Sequence, residues 1–294
     1  MAELGRVAKV GVVGAGTMGF GIAIVAARGG FETLVVDNDR DRLGRIAADA
    51  QSFFQKSVRI GKMSEKAATE SLSRLRSTTD LADLADCGLV IEAVFENIGV
   101  KSDVLAALGK VCDPRTILAS NTSTLSITQL GAASGRGDRF VGLHFCLPAQ
   151  VMKLVEVTPG LRTSNETLAA AWQFCEQARQ VPIKTKDTPG FILNYFVIPF
   201  NNSAIRMVEQ GVAEPKDIDS AVKAGLGYSL GPLELVDLVG LDTQILLCEA
   251  FYETTRDPRM ACPALLRQMV AGGLLGRKNG HGFYNYESTR AFGV

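Results

Sequence analysis

The sequence predicts an α/β fold: a doubly wound, mostly parallel sheet with an inserted helical arm, followed by a smaller all-α domain. Three observations predict it. An apolar run at residues 7–13 ends in Gly14-Ala-Gly16-Thr17-Met18-Gly19 and passes directly into an alanine-rich helical pattern. Strand-like apolar runs then alternate with helical ones as far as residue 185, and beyond residue 188 only helical patterns remain. The break at Asp187-Thr188-Pro189-Gly190 divides the chain into domains 1–187 and 188–294.

Each element has its own warrant. Residues 7–13 are continuously apolar, as a strand buried on both faces must be, and 33–36 repeats the pattern before Asp37. Between them, 20–27 reads as a helix. Two helical patterns, 41–60 and 64–75, joined through Gly61-Lys62-Met63, form the arm at about 41–75. Alternation then resumes: strand 88–93, helix 97–110, strand 116–119, a helix to about 133, strand 140–145, a Pro148 turn, strand 153–158, helix 164–178 and strand 181–185. The second domain reads as helices 191–210, 215–224, 233–252 and 263–271. They are apolar over more of their surface than one small bundle needs, which predicts a homodimer through this half.

The glycine turn specifies chemistry. One glycine makes the turn, one lets backbone amides approach a pyrophosphate, and one allows close helix–strand packing, with the anion on the positive end of the helix. With a strand before it, a helix after it and Asp37 at the end of the next strand, Gly14, Gly16, Thr17, Met18, Gly19 and Asp37 read as a Rossmann-type NAD site. Asp37 suits a ribose 2′-hydroxyl and would repel a 2′-phosphate, favouring NAD over NADP. Arg40 and Arg42 lie nearby and read as solvated charges of a first helical turn.

Composition excludes several classes. Lys plus Arg and Asp plus Glu balance at 31 each, so no net charge draws the chain to nucleic acid or an anionic membrane. No apolar run approaches ~18 residues, and the first strand begins too early for a signal peptide. Six cysteines without paired spacing read as free thiols in a reducing compartment, which predicts a cytoplasmic protein. No metal-ligand spacing is present. Lys56, Arg59 and Lys62 give the arm a basic side that reads as a solvated face, with a phosphate-rich substrate handle as the alternative.

The candidate catalytic residues lie at strand ends. His144, one of two histidines, falls at the end of strand 140–145, on the sheet edge where such folds bind ligands. Glu156 interrupts an otherwise apolar strand, and a carboxylate there needs a partner. The short link through Pro148 allows the two strands to be neighbours. A His144–Glu156 pair would fix the imidazole tautomer and leave the other ring nitrogen for a substrate hydroxyl, as a general base requires. Ser123, just past a strand end, reads either as a helix cap or as a donor to a substrate oxygen. Asn194, early in the second domain, offers an amide to the same oxygen.

These residues sit in blocks, Gly-Ala-Gly-Thr-Met-Gly, Ser120-Asn-Thr-Ser123, Gly142-Leu-His144-Phe, Met152-Lys-Leu-Val-Glu156-Val, Asp187-Thr-Pro-Gly-Phe-Ile-Leu-Asn194, Gly231-Pro-Leu-Glu-Leu and Gly280-His-Gly-Phe-Tyr284. In order and over nearly the full length, the chain resembles the L-3-hydroxyacyl-CoA dehydrogenases, most closely the short bacterial 3-hydroxybutyryl-CoA type. The resemblance implies hydride transfer between C3 of a 3-hydroxyacyl thioester and NAD, with His144 as base, Glu156 orienting it, and Ser123 and Asn194 on the substrate oxygens. It implies Glu96, Lys101 and Lys278 at the nicotinamide end of the cofactor, and CoA on the arm.

The chain also departs from that pattern. His144-Phe-Cys146-Leu147-Pro148 stands where the family usually has His-Phe-Phe-Asn-Pro, so Leu147 replaces a polar substrate-side residue. Tyr195 replaces the usual arginine, and Phe53 and Phe54 occupy the CoA-contacting region of the arm. These departures raise an alternative: the same chemistry on a polar, glyceryl- or hydroxymalonyl-type acyl group held by an acyl carrier protein. A protein that binds NAD without catalysis is a further alternative, against which the joint presence of Ser123, His144, Glu156 and Asn194 argues.

Overall fold

The computed structural model describes residues 7–286 and divides into two compact units, Met1–Phe191 and Ile192–Val294. The first contains an eight-stranded sheet in the order β3-β2-β1-β4-β5-β6-β7-β8. Its strands are β1 (Lys9–Val13), β2 (Glu32–Val36), β3 (Leu75–Thr78), β4 (Leu89–Glu92), β5 (Ile117–Ser120), β6 (Phe140–Phe145), β7 (Leu154–Pro159) and β8 (Val181–Lys184). All neighbours are parallel except β6 and β7, which the Pro148 turn makes antiparallel.

The apolar strands are buried on both faces, and successive residues divide between two cores. Val10, Val12, Val35, Ile91, Leu143 and Val155 join one core, while Val13, Leu34, Val36, Val90 and Leu118 join the other. The covering helices are α1 (Thr17–Arg28), α4 (Ile98–Val111), α5 (Ile127–Ala133) and α6 (Asn165–Gln177). The arm is α2 (Arg40–Arg59) and α3 (Glu65–Ser73). Leu43, Ile46, Ala50 and Phe54 form the buried stripe of α2, and Asp39 caps its first turn.

Two elements differ from expectation. The second arm helix stops at Ser73 rather than 75, and Leu75–Thr78 becomes β3, paired in parallel with β2. Only Leu75 of that strand is buried, so an edge strand with one buried residue carries almost no apolar signal. The helix expected over 233–252 is two helices, α9 (Pro232–Val239) and α10 (Leu241–Thr255). Gly240 separates them at φ +104°, a conformation no α-helix passes through.

The second unit also contains α7 (Leu193–Glu209), α8 (Pro215–Leu226) and α11 (Ala264–Ala271). Ile205, Leu233, Val236, Leu241 and Leu266 form its main core, with a smaller cluster of Ile198, Cys248, Phe251 and Met260. No helix among the described residues is long and apolar enough to cross a membrane.

Sheet order reverses direction between β1 and β4, and the glycine turn sits at the carboxyl ends of these strands. Gly19 is packed so closely that a Cβ would lie 1.7 Å from the Gly14 carbonyl oxygen, whereas a Cβ on Gly16 meets nothing within 4 Å. Gly19→Ala is therefore expected to lower stability by about 1–3 kcal/mol, and Gly16→Ala by less than about 1 kcal/mol. Thermal unfolding of the two variants checks this, and equal melting temperatures would contradict the packing role of Gly19.

Candidate active site

The nucleotide end is built from backbone. Gly14 takes φ +104° as the chain leaves β1, and α1 starts at Gly16 with no side chain capping its first turn. The first-turn N–H groups and the positive end of α1 are thus left for an anion, over a glycine whose missing Cβ leaves open space. Thr17 is exposed at this turn, and Met18 packs against the adjoining core. Asp37 closes the arrangement from the end of β2: its Oδ2 accepts from the Ala15 N–H at 2.6 Å and its Oδ1 from Asp39 N–H at 2.9 Å. Arg42 is paired with Asp39 at 3.0 Å. These residues fit NAD, with a carboxylate rather than a cation at the ribose end.

Next to this turn, β4 delivers a residue that sequence reasoning missed. Glu92 is fully buried at the end of β4 and binds Lys101 Nζ at 2.6 Å, Ser120 Oγ at 2.6 Å and Val94 N–H at 2.7 Å. Its signal was present: an acid closing an apolar strand has to be paired. Lys101, 1% exposed, also donates to the Val94 carbonyl and lies 3.3 Å from Glu96. Its ammonium is thus spent inside the protein, and Glu96 is the member of the cluster that remains part-exposed.

Glu96 holds the loop that carries Ser123. Its Oε1 accepts from Thr122 Oγ1 at 2.6 Å, Ser123 N–H at 2.8 Å, and both Thr124 N–H and Oγ1 at 3.0 Å. Ser123 does not cap the next helix; Ser126 does, and Asp187 accepts from the Ile127 and Thr128 N–H groups at 2.8 Å. The Ser123 hydroxyl is left to face His144.

His144 and Glu156 are direct partners in the β6–β7 register. The Nδ1–Oε2 distance is 2.7 Å and His144 Nε2 lies 2.9 Å from Ser123 Oγ. An ionised Glu156 can only accept, so Nδ1 carries the proton and Nε2 accepts from the serine hydroxyl. Asn121 Oδ1 pins the strand end by accepting from Phe145 N–H at 2.9 Å, and the Phe191 ring packs 5.4 Å from the imidazole. Beyond β6, burial, with the Glu156 charge adding to it, pushes the Cys146 thiol up to about 12, so it is no nucleophile. Leu147 follows, half-buried.

A serine–histidine–glutamate line is also the layout of a hydrolytic triad. Here the Ser123 and Thr124 N–H groups, which such a triad would turn toward an oxyanion, point into the Glu96 carboxylate. A carboxylate in that place repels an oxyanion. The constellation is suited to deprotonating a hydroxyl, not to holding a tetrahedral acyl intermediate.

Two expected residues belong to the second unit. Asn194 stands half-buried in the first turn of α7. Lys278 is ion-paired with Asp242 at the start of α10. Tyr195 lies beside Arg259, whose guanidinium sits 6.0 Å from the ring centre.

Comparison with known proteins decides the family. Residues 9–188 match the model of the 3-hydroxyacyl-CoA dehydrogenase NAD binding domain, and residues 190–286 match that family's C-terminal domain. The chain belongs to the 3-hydroxyacyl-CoA dehydrogenase family. The dehydrogenase is 44% identical over 278 residues to a probable 3-hydroxybutyryl-CoA dehydrogenase of Deinococcus radiodurans, covering 95% of this chain and 100% of that one. It superimposes on the crystal structure of FadB2 from Mycobacterium tuberculosis with a TM-score of 0.92 and 42% identity, covering 96% and 99% of the two chains. The (S)-3-hydroxybutyryl-CoA dehydrogenase PaaH1 of Ralstonia eutropha gives a TM-score of 0.89 at 39% identity, covering 96% and 100%. It is thus an NAD-dependent oxidoreductase acting on a CH–OH group.

The Glu96 cluster of the dehydrogenase has a pH signature. Burial alone raises the Glu96 carboxyl, but the Lys101 ammonium and the Thr122, Ser123 and Thr124 donors outweigh it and hold the group below its ordinary value. Stability from a depressed carboxyl is complete above the ordinary carboxylate range and is lost as pH falls through that range and below. Glu96→Gln is expected to cost about 1–2 kcal/mol at neutral pH and to flatten the acid limb of the stability curve. Denaturant unfolding across acid pH checks this; an unchanged acid limb would separate Glu96 from it.

Proposed function

We propose that the protein interconverts L-3-hydroxyacyl-CoA and 3-oxoacyl-CoA, with short acyl groups of the 3-hydroxybutyryl kind as substrates. The observation that carries this reading is the hydrogen-bonded line Ser123–His144–Glu156, on the same edge of the sheet as the glycine turn. Bound NAD supplies the acceptor for the C3 hydride. His144 Nε2 takes the C3 hydroxyl proton, and Glu156 stabilises the imidazolium that results. Ser123 hydrogen-bonds the same oxygen, giving up its contact with His144, and the Asn194 amide serves the substrate oxygens. Gly14, Gly16, Thr17, Met18, Gly19 and Asp37 bind the pyrophosphate and ribose, with Glu96 and Lys278 serving the nicotinamide end and the buried Lys101 acting there only by holding Glu96 in place.

A CoA handle is supported by the relatives, 3-hydroxybutyryl-CoA dehydrogenases among them. Leu147 bears on the acyl pocket and not on the base. The experiment is NADH oxidation with acetoacetyl-CoA, repeated with NADPH and with a carrier-protein-bound acyl group. Fast oxidation by NADH with the CoA thioester is expected, and His144→Ala should lower kcat by about 10²–10⁴ while leaving NADH affinity unchanged. A wild type that turns over only the carrier-protein thioester would overturn the CoA reading, and a His144→Ala variant with full activity would remove the base.

We further propose that the protein is a homodimer joined through its helical unit and works in the cytoplasm. Phe196 at 66% and Leu246 at 63% exposure, with Val212, Leu226 and Tyr228, present more apolar surface than a solvated bundle needs. All six thiols are free, which suits a reducing compartment. Sedimentation should give a dimer that Leu246→Glu combined with Phe196→Asp shifts to monomer; a monomeric wild type would refute the interface.

A further inference from the structure

The last residues of the first unit adopt a backbone conformation that the hydride-transfer scheme leaves unexplained. Gly190 and Phe191 are consecutive left-handed residues, at φ +80° and +49°. Glycine takes such values freely. A bulky aromatic residue rarely does, and it persists there only where the surroundings impose it. Among the described residues only Arg179 and Arg256 share this feature outside glycine, and both are exposed, whereas Phe191 is buried.

The contacts that impose the conformation come from the catalytic loop. The Asp187 carboxylate accepts from Ser126 Oγ at 3.0 Å as well as from the Ile127 and Thr128 N–H groups. Phe191 N–H donates to the Thr188 carbonyl at 3.1 Å, and Gly190 N–H donates to the Ser123 carbonyl at 3.2 Å. The turn is thus fastened to the loop that presents Ser123. Its ring enters the core of Val90, Leu118 and Ile127 and lies against His144, with ring centres 5.4 Å apart and planes at 49°. That separation and tilt fall within the favourable range for aromatic pairs.

We propose that Phe191 is a positioning residue for the reaction, acting through the His144 imidazole; the proposal rests on His144 as the base. Glu156 at Nδ1 and Ser123 at Nε2 hold the imidazole within its own plane. Neither contact resists tilting of the ring out of that plane, and a packed face does. When Nε2 turns from the Ser123 hydroxyl to the substrate hydroxyl, Glu156 is the hydrogen-bond partner that stays. The Phe191 face then supplies the second constraint, and it keeps water off that side of the ring. A left-handed Phe191 is the conformation that delivers the ring to this place from a turn bound to Ser123, so one segment fixes the spacing of both groups.

The test separates the ring from the turn. Phe191→Gly deletes the ring and keeps the turn, since glycine is at ease at this φ. It is expected to lower kcat about 10–100-fold. NADH affinity and the KM for acetoacetyl-CoA should stay within about 2-fold of wild type. Phe191→Leu, which restores apolar bulk, should recover most of the lost kcat. In a His144→Ala background, Phe191→Gly should lower the residual rate by less than about 2-fold, because its target is gone. His144 and His281 are the only histidines. In proton NMR spectra Phe191→Gly should therefore move the imidazole signals of His144, which lie beside the lost ring, and leave those of His281 in place. Full kcat in Phe191→Gly, the same fold-loss in both backgrounds, or unmoved His144 signals would each overturn the positioning role while leaving the base intact. A His144→Ala variant at full activity would instead remove the base, and this role with it.

Discussion

The need to pair buried charge along one edge of the sheet determines this site. Glu92 and Glu156 are fully shielded from water, and Lys101 nearly so. Removing one member of a buried ion pair costs about 3–5 kcal/mol, because the other charge is then left uncompensated. Glu92 consequently fixes Lys101, Lys101 draws in Glu96, and Glu96 gathers the Thr122–Thr124 loop around a single oxygen. The Ser123 hydroxyl that faces His144 is the end product of that chain of contacts. Replacing Glu92 or Lys101 by an apolar residue would disturb Ser123 through Glu96, which accepts from its N–H.

The cofactor half and the catalytic half are specified differently. Gly14, Gly16 and Gly19 act through the backbone: Gly14 by its positive φ, Gly19 by a packing that leaves no room for a Cβ, and Gly16 by leaving open space over the first turn of α1. Such a requirement is written directly in the chain as a residue type at a spacing. His144, Glu156 and Ser123 act through side chains brought together from β6, β7 and the loop after β5, and it is the strand pairing rather than a residue spacing that joins them.

That difference explains what could be read from the sequence. The alternation of strands and helices, Asp37 and the His144–Glu156 pair were legible, because a buried strand, a glycine turn and an acid among valines each carry a strong physical demand. β3 was not, since an edge strand with only Leu75 buried needs no apolar pattern. The division of 233–252 at Gly240 was missed because the apolar period runs through the break, and only the φ of one glycine records it. Glu92 was overlooked although it obeys the same rule that identified Glu156. Lys278 was singled out only by resemblance, and Asn194 carried little signal of its own, since a lysine in a turn and an amide in a first helical turn have ordinary structural uses.

The pairing of His144 with Glu156 depends on register. Along β6, Val141, Leu143 and Phe145 enter one core, so Gly142 and His144 face the other side. Along β7, Val155 and Val157 enter the same core as Leu143, which turns Glu156 to the side of His144. A slip of one residue would send both valines out of the core and Glu156 into it. Burying Val155 and Val157 is worth several kcal/mol at about 25 cal/mol per Å², and a carboxylate in the core would add a further penalty of several kcal/mol. The apolar residues beside Glu156 thus do more to aim the base than any polar contact it makes. The same alternation explains why Gly142 sits opposite Thr158 two pairs along, on the same face: a Cβ there would lie 2.7 Å from Ile127, so the face that carries the base leaves no room for a larger neighbour.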